Sequence, residues 1–441
     1  MNIILLSGGS GKRLWPLSNE SMSKQFLRLL RDDNGNKESM VQRVFRQIKE
    51  AKIEANIVIT TGKSQVESIK SQLGGNVDVV VEPERRNTFP AILLGAAYLK
   101  YEKHVKDDES VIVLPVDPYA ENTYFDTLLK MDKVIQTNKS DITLMGIEPT
   151  YPSEKYGYII TNKTNEEIKD VIKFQEKPSL EKAKELLQEG AYWNAGVFGF
   201  KLSYIMNILN SNIKANSYEE VLNNFSNLKK DSFDYEVVEK ANSINMISYK
   251  GMWKDLGTWN TLTEEIPENH GNVITGEGNE NVSVINVTDR PVVALGLKDI
   301  VVVSSTEGVL VSNKEKSSYI KPYVENLEER PLFETKRWGE YKVLEDKTFN
   351  DNVRSLTKHL TIEQGKSISL QKHQYRDEIW TIIDGVGELT IDNNTKNVTR
   401  GDVINIKKGQ LHKIVALTDL QLIEVQIGSK LIEEDIERFD N

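Results

Sequence analysis

The first half of the chain alternates short β-branched runs with amphipathic stretches, and this alternation restricts the fold more than any other feature. NIILLS, NIVIT, VDVVVE, VIVLPVD and ITLMGI recur between segments of helical periodicity. Strands alternating with helices predict right-handed βαβ units and a mainly parallel sheet. Ligands bind such sheets beyond the carboxyl ends of the strands. GGSGKR after the first strand, and Asp117 after VIVLPV, therefore fall on the expected binding edge.

The texture changes near residue 268. From Glu268 to Asn326, short valine and isoleucine runs are broken by GN, GEGN, TDR and STEG, which predicts a β-rich connector of a few solenoid-like turns. Beyond Glu334, SISLQ, IWTIID, GELTI, DVINI, HKIVAL and LQLIEVQ follow at even spacing, as in a small barrel or jelly roll. The acidic tail IEEDIERFDN reads as a terminal helix or a solvated end. A chain of 441 residues is expected to hold two or three domains. The expected boundaries are 1–265, 266–330 and 331–441.

Charge and composition exclude several classes. A net charge of −10 and a pI near 5.3 argue against a nucleic-acid binder, which shows a basic stripe. There is no cysteine, so neither a disulfide framework nor a thiolate metal site can form. The apolar start Ile3 to Leu6 is too short for a signal-peptide core, and no run reaches membrane-spanning length. The chain reads as a soluble cytoplasmic protein with no membrane partner.

Glycines after a strand let backbone N–H groups converge on phosphate oxygens. Gly8, Gly9 and Gly11 supply them here, yet neither common phosphate motif fits. Leu6 occupies the first glycine position of a P-loop and Arg13 follows Lys12 where serine or threonine belongs; Leu14 replaces the last glycine of the dinucleotide fingerprint. What distinguishes the loop is its company: Arg13, then WPLS, then Lys24 before QF. Two fixed cations beside a phosphate cradle neutralise charge building up at phosphorus.

GGSGKRLWPLS…KQF resembles the nucleotidylyltransferase signature GGxGTRLxPLTxxxPK, and more narrowly the long bacterial mannose-1-phosphate guanylyltransferases that carry a phosphomannose-isomerase-like cupin domain. EPERRNTFPAI, LPVD, PTYPSEKYGYI, FQEKPS, YWNAGVFGF, SFDYEVVE and WKDLGTW continue the resemblance in family order over nearly the whole chain. It implies an α/β fold: a Rossmann-like nucleotidyltransferase with a mixed, mainly parallel sheet, then a small β-rich connector and a C-terminal cupin β-barrel. It also implies that a sugar 1-phosphate attacks the α-phosphorus of a nucleoside triphosphate, giving NDP-sugar and diphosphate. GTP and mannose 1-phosphate are the favoured partners, with CTP or ATP left open.

Such transfer needs positioning, charge neutralisation and a divalent cation. Asp117 and Asp255 are the Mg²⁺ candidates, oxygen ligands suited to a hard ion on a triphosphate; a helix cap or turn is the alternative for Asp117, and a turn between two tryptophans for Asp255. The catalytic set is then Arg13, Lys24, Asp117 and Asp255. The resemblance places Leu6, Gly8, Gly9, Gly11, Lys12, Arg13, Glu82, Arg86, Asn87 and Thr88 on the nucleotide side, although Asn87 or Thr88 also suits a helix cap. Gly157, Glu176, Lys177 and Asn194 fall on the sugar-phosphate side. Lys12 in place of threonine, Met22-Ser23 in place of Tyr-Pro and Pro118 in place of histidine depart from the pattern.

In the second region Gly365, Gln371, His373, Glu378 and Gly385 fit the first cupin motif, and GDVINIKKGQLH fits the second, ending at His412. Gln371, His373, Glu378 and His412 form a candidate site for Zn²⁺ or another divalent metal. The set resembles phosphomannose isomerases, but Gln374, Tyr375 and Ile379 replace three histidines of close relatives, which puts isomerisation in doubt. A non-catalytic nucleotide-sugar sensor, and an isomerase with a vestigial transferase, remain alternatives. Oligomeric state, homodimer or larger, is left open.

Overall fold

The five apolar runs form strands β1 (Asn2–Ser7), β2 (Asn56–Gly62), β3 (Asp78–Glu82), β4 (Ser110–Pro115) and β5 (Ile142–Ile147) in a computed structural model of the chain. The structure describes residues 1–9, 12–19, 22–75, 77–137, 140–164, 166–266, 268–327, 330–349 and 352–439. Four further strands, β6 (Tyr158–Thr161), β7 (Ile168–Gln175), β8 (Tyr192–Lys201) and β9 (Ile244–Tyr249), complete a sheet of order β3-β2-β1-β4-β8-β5-β9-β7-β6.

β1 to β4 run parallel. Ile3, Ile4 and Leu5 are fully buried, as the continuous apolar run of a two-faced parallel strand requires. β8 then inserts antiparallel between β4 and β5, so the sheet is mixed. Its register against β5 jumps between Asn194 and Phe198, a bulge at which Gly196 takes a φ of 68°. That bulge re-aims the residues around Asn194.

The helix Thr88–Tyr101 packs on β1 and β2. It is apolar on nearly every face, with Phe89, Ile92, Leu93, Ala96 and Leu99 buried. Burial of each such Leu or Ile contributes about 1.5–3 kcal/mol. Pro90 lies in its first turn, where a missing N–H breaks no helical bond.

The chain divides into two compact units, Met1–Leu14 with Ser23–Pro267, and Trp15–Met22 with Glu268–Asn441. The segment containing WPLS therefore belongs to the second unit, where Ser305 Oγ donates to the Pro16 carbonyl at 2.8 Å. In that unit Val273–Thr275 pairs in parallel with Val292–Ala294, and Ser283–Asn286 with Ile300–Ser305. Parallel pairing of runs less than twenty residues apart is the coiling expected of solenoid turns.

The strands from Phe333 onward form two antiparallel sheets, one of six strands and one of five. Trp380, Leu356, Leu389, Ile414 and Leu422 share their apolar core. The acidic tail makes a short 3₁₀ turn, Glu433–Asp435, and then Glu437–Arg438 pairs with the Ser367–Lys372 strand. Ile432, Glu434, Glu437 and Arg438 are exposed, as in a solvated end, while Asp435 is buried. Asp435 accepts from the Gln374 N–H at 2.9 Å and faces Arg376 at 3.4 Å.

Candidate active site and metal centre

β1 delivers the glycine loop to the carboxyl edge of the parallel strands. Gly8 and Gly9 are exposed with open space about them, and Gly9 has a φ of 132°, a conformation that side chains disfavour. Gly11 lies outside the described residues. The Leu6 carbonyl accepts from Val116 N–H at 3.2 Å and so pins the residue before Asp117 alongside the loop. Lys12–Leu14 form one 3₁₀ turn. Arg13 there is exposed, makes no hydrogen bond or ion pair among the described residues, and is near enough to Lys24 to repel it.

A buried amide network beneath the loop has no counterpart in the sequence reading. Gln65 Nε2 donates to the Gly9 carbonyl at 3.3 Å and to Ser23 Oγ at 2.6 Å. Its Oε1 accepts from Thr61 Oγ1 at 2.9 Å and from Gln25 Nε2 at 3.4 Å. One side chain thus ties the glycine loop to the residue preceding Lys24.

Lys24 Nζ lies 2.5 Å from Asp117 Oδ2 and 3.5 Å from Asp255 Oδ1. The two carboxylates converge because Pro118–Ala120 and Trp253–Asp255 form an antiparallel ribbon with Asp255 opposite Pro118. Pro118, at the position where relatives often carry histidine, is thereby a ribbon residue. Burial alone lowers the basicity of Lys24, but Asp117 and then Asp255 outweigh it and hold the ammonium above the ordinary lysine range. The donors are oxygens only, on two carboxylates that already share one cation, and this fits a hard divalent ion.

Asp117 and Asp255 line a cleft together with Gly157, Glu176 and Asn194. A Cβ on Gly157 would meet Glu176 Oε2 and the end of the Phe174 ring, so a larger residue there would push the Glu176 carboxylate aside. Glu176 Oε1 accepts from Lys177 Nζ at 2.5 Å, and Asn194 N–H donates to the Gly157 carbonyl at 2.8 Å. Asn194 Nδ2 donates to Asp234 Oδ1 at 2.7 Å. Burial, then the charge of Glu176, pushes the Asp234 carboxyl up to about 7. Asp234 is the cleft residue that sequence reasoning passed over, although SFDYEVVE, which contains it, carried the resemblance.

The EPERRNT residues divide. Glu82, at the end of β3, is buried, and burial raises its carboxyl to about 7 against the opposing pull of Arg85. Asn87, at φ 72°, accepts from Thr88 N–H at 2.9 Å as the cap of Thr88–Tyr101. Thr88 Oγ1 accepts from Phe233 N–H at 2.9 Å, and Arg86 Nε donates to the Leu228 carbonyl at 3.1 Å. In this structure the polar groups of these last three residues cap the helix and hold the segment that carries Asp234.

In the second unit His373, Glu378 and His412 bring ligand atoms within 4.8 Å of one another, all three residues buried. His412 Nδ1 lies 3.0 Å from the Gln410 carbonyl, which assigns the proton to Nδ1 and the lone pair to Nε2. Nε2 has no hydrogen-bond partner and lies 3.6 Å from Glu378 Oε2. Gln371 is opposite His412 in the strand register. An unpartnered imidazole nitrogen, a second histidine and a carboxylate fit a divalent transition metal. Arg376 Nε donates to Glu378 Oε1 at 2.9 Å. Burial works to raise the Glu378 pKa, but His373 and Arg376 overcome it and hold the carboxyl below its usual range.

Comparison with known proteins agrees with this geometry. A family model described as nucleotidyl transferase matches residues 2–270. The chain belongs to the nucleotidyl transferase family. A second model, mannose-6-phosphate isomerase C-terminal, matches residues 325–441. The chain is 32% identical to a mannose-1-phosphate guanylyltransferase of Salmonella montevideo, across 99% of this chain and 98% of that one. It is 29% identical to the alginate biosynthesis protein AlgA of Pseudomonas putida, across 99% and 95%. Among solved structures, a Thermus thermophilus protein described as mannose-1-phosphate geranyltransferase aligns at 27% identity and TM-score 0.62, covering 74% of this chain and 99% of that one.

As a nucleotidyl transferase, the chain is an enzyme, and its isomerase-like C-terminal domain is an addition to the transferase fold. No described helix is long and apolar enough to cross a membrane.

Proposed function

We propose that this nucleotidyl transferase moves a guanylyl group from GTP to mannose 1-phosphate and releases diphosphate. The observation that carries the proposal is Lys24, set between Asp117 and Asp255 on the rim of the cleft that also holds Glu176 and Asn194. A phosphate oxygen of the sugar phosphate attacks the α-phosphorus, and the bond to the β-phosphate breaks. Gly8 and Gly9 leave backbone open to the triphosphate, Lys24 and Arg13 meet its charge, and Lys177 meets the sugar phosphate. Mg²⁺, when bound by Asp117 and Asp255, supplies further neutralisation of phosphate charge. In-line transfer of this kind is catalysed by positioning and charge.

The choice of guanine and mannose is supported by the names of the relatives and by Glu82, whose buried carboxyl suits the donor edge of a guanine. We read the chain as transferase over 1–265, connector over 266–330 and cupin over 331–441, acting in the cytoplasm because its proposed substrate is a nucleoside triphosphate. The test is diphosphate release from each NTP mixed with each hexose 1-phosphate and Mg²⁺. No release from any pair sinks the proposal; release with CTP or ATP but not GTP retains the reaction and overturns the base.

A second reading concerns the cupin. Gln371, His373, Glu378 and His412 are proposed to hold a divalent metal such as Zn²⁺, without isomerase turnover, since Gln374, Tyr375 and Ile379 carry no exchangeable ring proton of the histidine type. Fructose 6-phosphate formed from mannose 6-phosphate by the purified protein would overturn it.

A further inference from the structure

The buried face of the strand Leu420–Gly428 changes character along its length. Its alternate residues are buried, and they run Leu420, Leu422, then Glu424 and Gln426. The neighbouring strand Arg376–Asp384 changes in step, from Ile382 and Trp380 to Glu378 and Arg376. Register sets Glu378 opposite Gln426, and Trp380 opposite Glu424. A carboxylate is tolerated in a core only where charge or hydrogen bonds compensate it.

Glu424 and the metal-site residue Glu378 share two donors. The Trp380 Nε1–H group points between them, with Nε1 3.2 Å from Glu378 Oε2 and 3.3 Å from Glu424 Oε1. Gln426 Nε2 donates to Glu378 Oε1 at 3.3 Å and to Glu424 Oε2 at 3.0 Å. Each of the four carboxylate oxygens is thus matched to one of the two donors, an indole and an amide. Lys358 Nζ, over the Tyr341 ring, stands 4.0 Å from Glu424 Oε2 and supplies a counter-charge. The ligand atoms that converge belong to His373, Glu378 and His412, so Glu424 stands behind that group.

We propose that Glu424 is a positioning residue for Glu378, fixing the Trp380 indole and the Gln426 amide so that they hold the Glu378 carboxylate in the one orientation that a divalent metal can use. The inference rests on the cupin metal reading above. Side chains that orient a metal ligand from behind set its affinity, and their loss weakens binding about 10- to 100-fold. Glu424 does this without touching the ion.

Glu424→Gln keeps the shape of the side chain but turns an amide N–H toward one of the two donors; Glu424→Ala removes both acceptors. Full-length protein loaded with Zn²⁺ is titrated with a chromogenic chelator, and each variant is expected to release the ion at an affinity about 10- to 100-fold weaker than the wild type. The visible absorption of the Co²⁺-loaded protein is expected to shift in both, because the carboxylate ligand is reoriented. Unchanged Zn²⁺ affinity and an unchanged Co²⁺ spectrum overturn the proposal, and so does a loss of folding stability with no change in affinity. If Glu424→Ala fails to fold, the Glu424→Gln affinity decides. Wild-type protein whose bound Zn²⁺ is lost in His412→Ala but kept at full affinity in Glu424→Gln leaves the metal reading standing and removes the role of Glu424 alone. If the wild type binds neither Zn²⁺ nor Co²⁺, both fall.

Discussion

Lys24 reaches Asp255 at 3.5 Å across 231 positions of sequence while lying 2.5 Å from Asp117, so one ammonium near the start of the transferase unit bridges a carboxylate from its middle and one from its end. Removing Lys24 leaves two carboxylates facing one another, and removing Asp117 takes from Lys24 the nearer of its two counter-charges. Asp117→Ala is expected to lower diphosphate release by roughly 100-fold or more, with the cupin metal content unchanged by elemental analysis. Transfer that survives this change would show that Asp117 is not part of the phosphate machinery. Lys24→Ala is expected to be as damaging.

Gln65 acts on the reaction through others. Its amide joins Gly9 to Ser23, so Gln65→Ala should loosen the glycine loop and the approach to Lys24 together. We expect kcat/KM for GTP to fall roughly tenfold while the sugar-phosphate KM stays constant. Gln65→Glu, which keeps the size but loses the Nε2 donor, should behave like the alanine variant if the donated bonds are what matter.

Glu82 sets a pH dependence of stability. Burial raises its folded pKa to about 7 from 4.5, so the folded chain binds the proton more tightly than the unfolded one. The stabilisation is complete below pH 4.5 and is lost as pH rises through about 7. Glu82→Gln should flatten this slope, by about 1–3 kcal/mol between acid and alkaline limits. Urea midpoints for both proteins across this range check it; identical slopes would show that Glu82 is solvated.

In the cupin, His412→Ala and Glu378→Gln are expected to abolish tightly bound divalent metal, read by elemental analysis after gel filtration. Metal retained by both variants would place it elsewhere. Chelation of the wild type should also lower its Tm, because a ligand that binds the folded state alone stabilises it.

Asp435 closes the tail onto the same region. It is buried against Arg376, which in turn holds Glu378. Asp435→Ala leaves the guanidinium short of one counter-charge and is expected to cost about 3–5 kcal/mol, measured by chemical denaturation. A change near zero would mean that the pairing of Glu437–Arg438 with the cupin strand is incidental.

Short-range pattern alone was enough for the architecture. β1 and the turn at Gly8-Gly9 are legible because alternation, apolar runs and glycine turns are properties of neighbouring residues. The histidine spacings of the cupin are legible for the same reason: strand pleat places alternate residues on one face. Folding decided the rest, because contacts between distant segments depend on how strands pair. Pairing of Trp253–Asp255 with Pro118–Ala120 brings Asp255 to Lys24; the bulge in β8 turns Asn194 to Asp234; and Asp435 is buried against Gln374 N–H and Arg376, in a tail whose other charged residues read as solvated. Asn87 and Thr88 show the limit most plainly. Their side chains suit a base or a cap equally well in sequence, and only the folded chain shows the cap at Thr88 N–H and the bond from Phe233 N–H to Thr88.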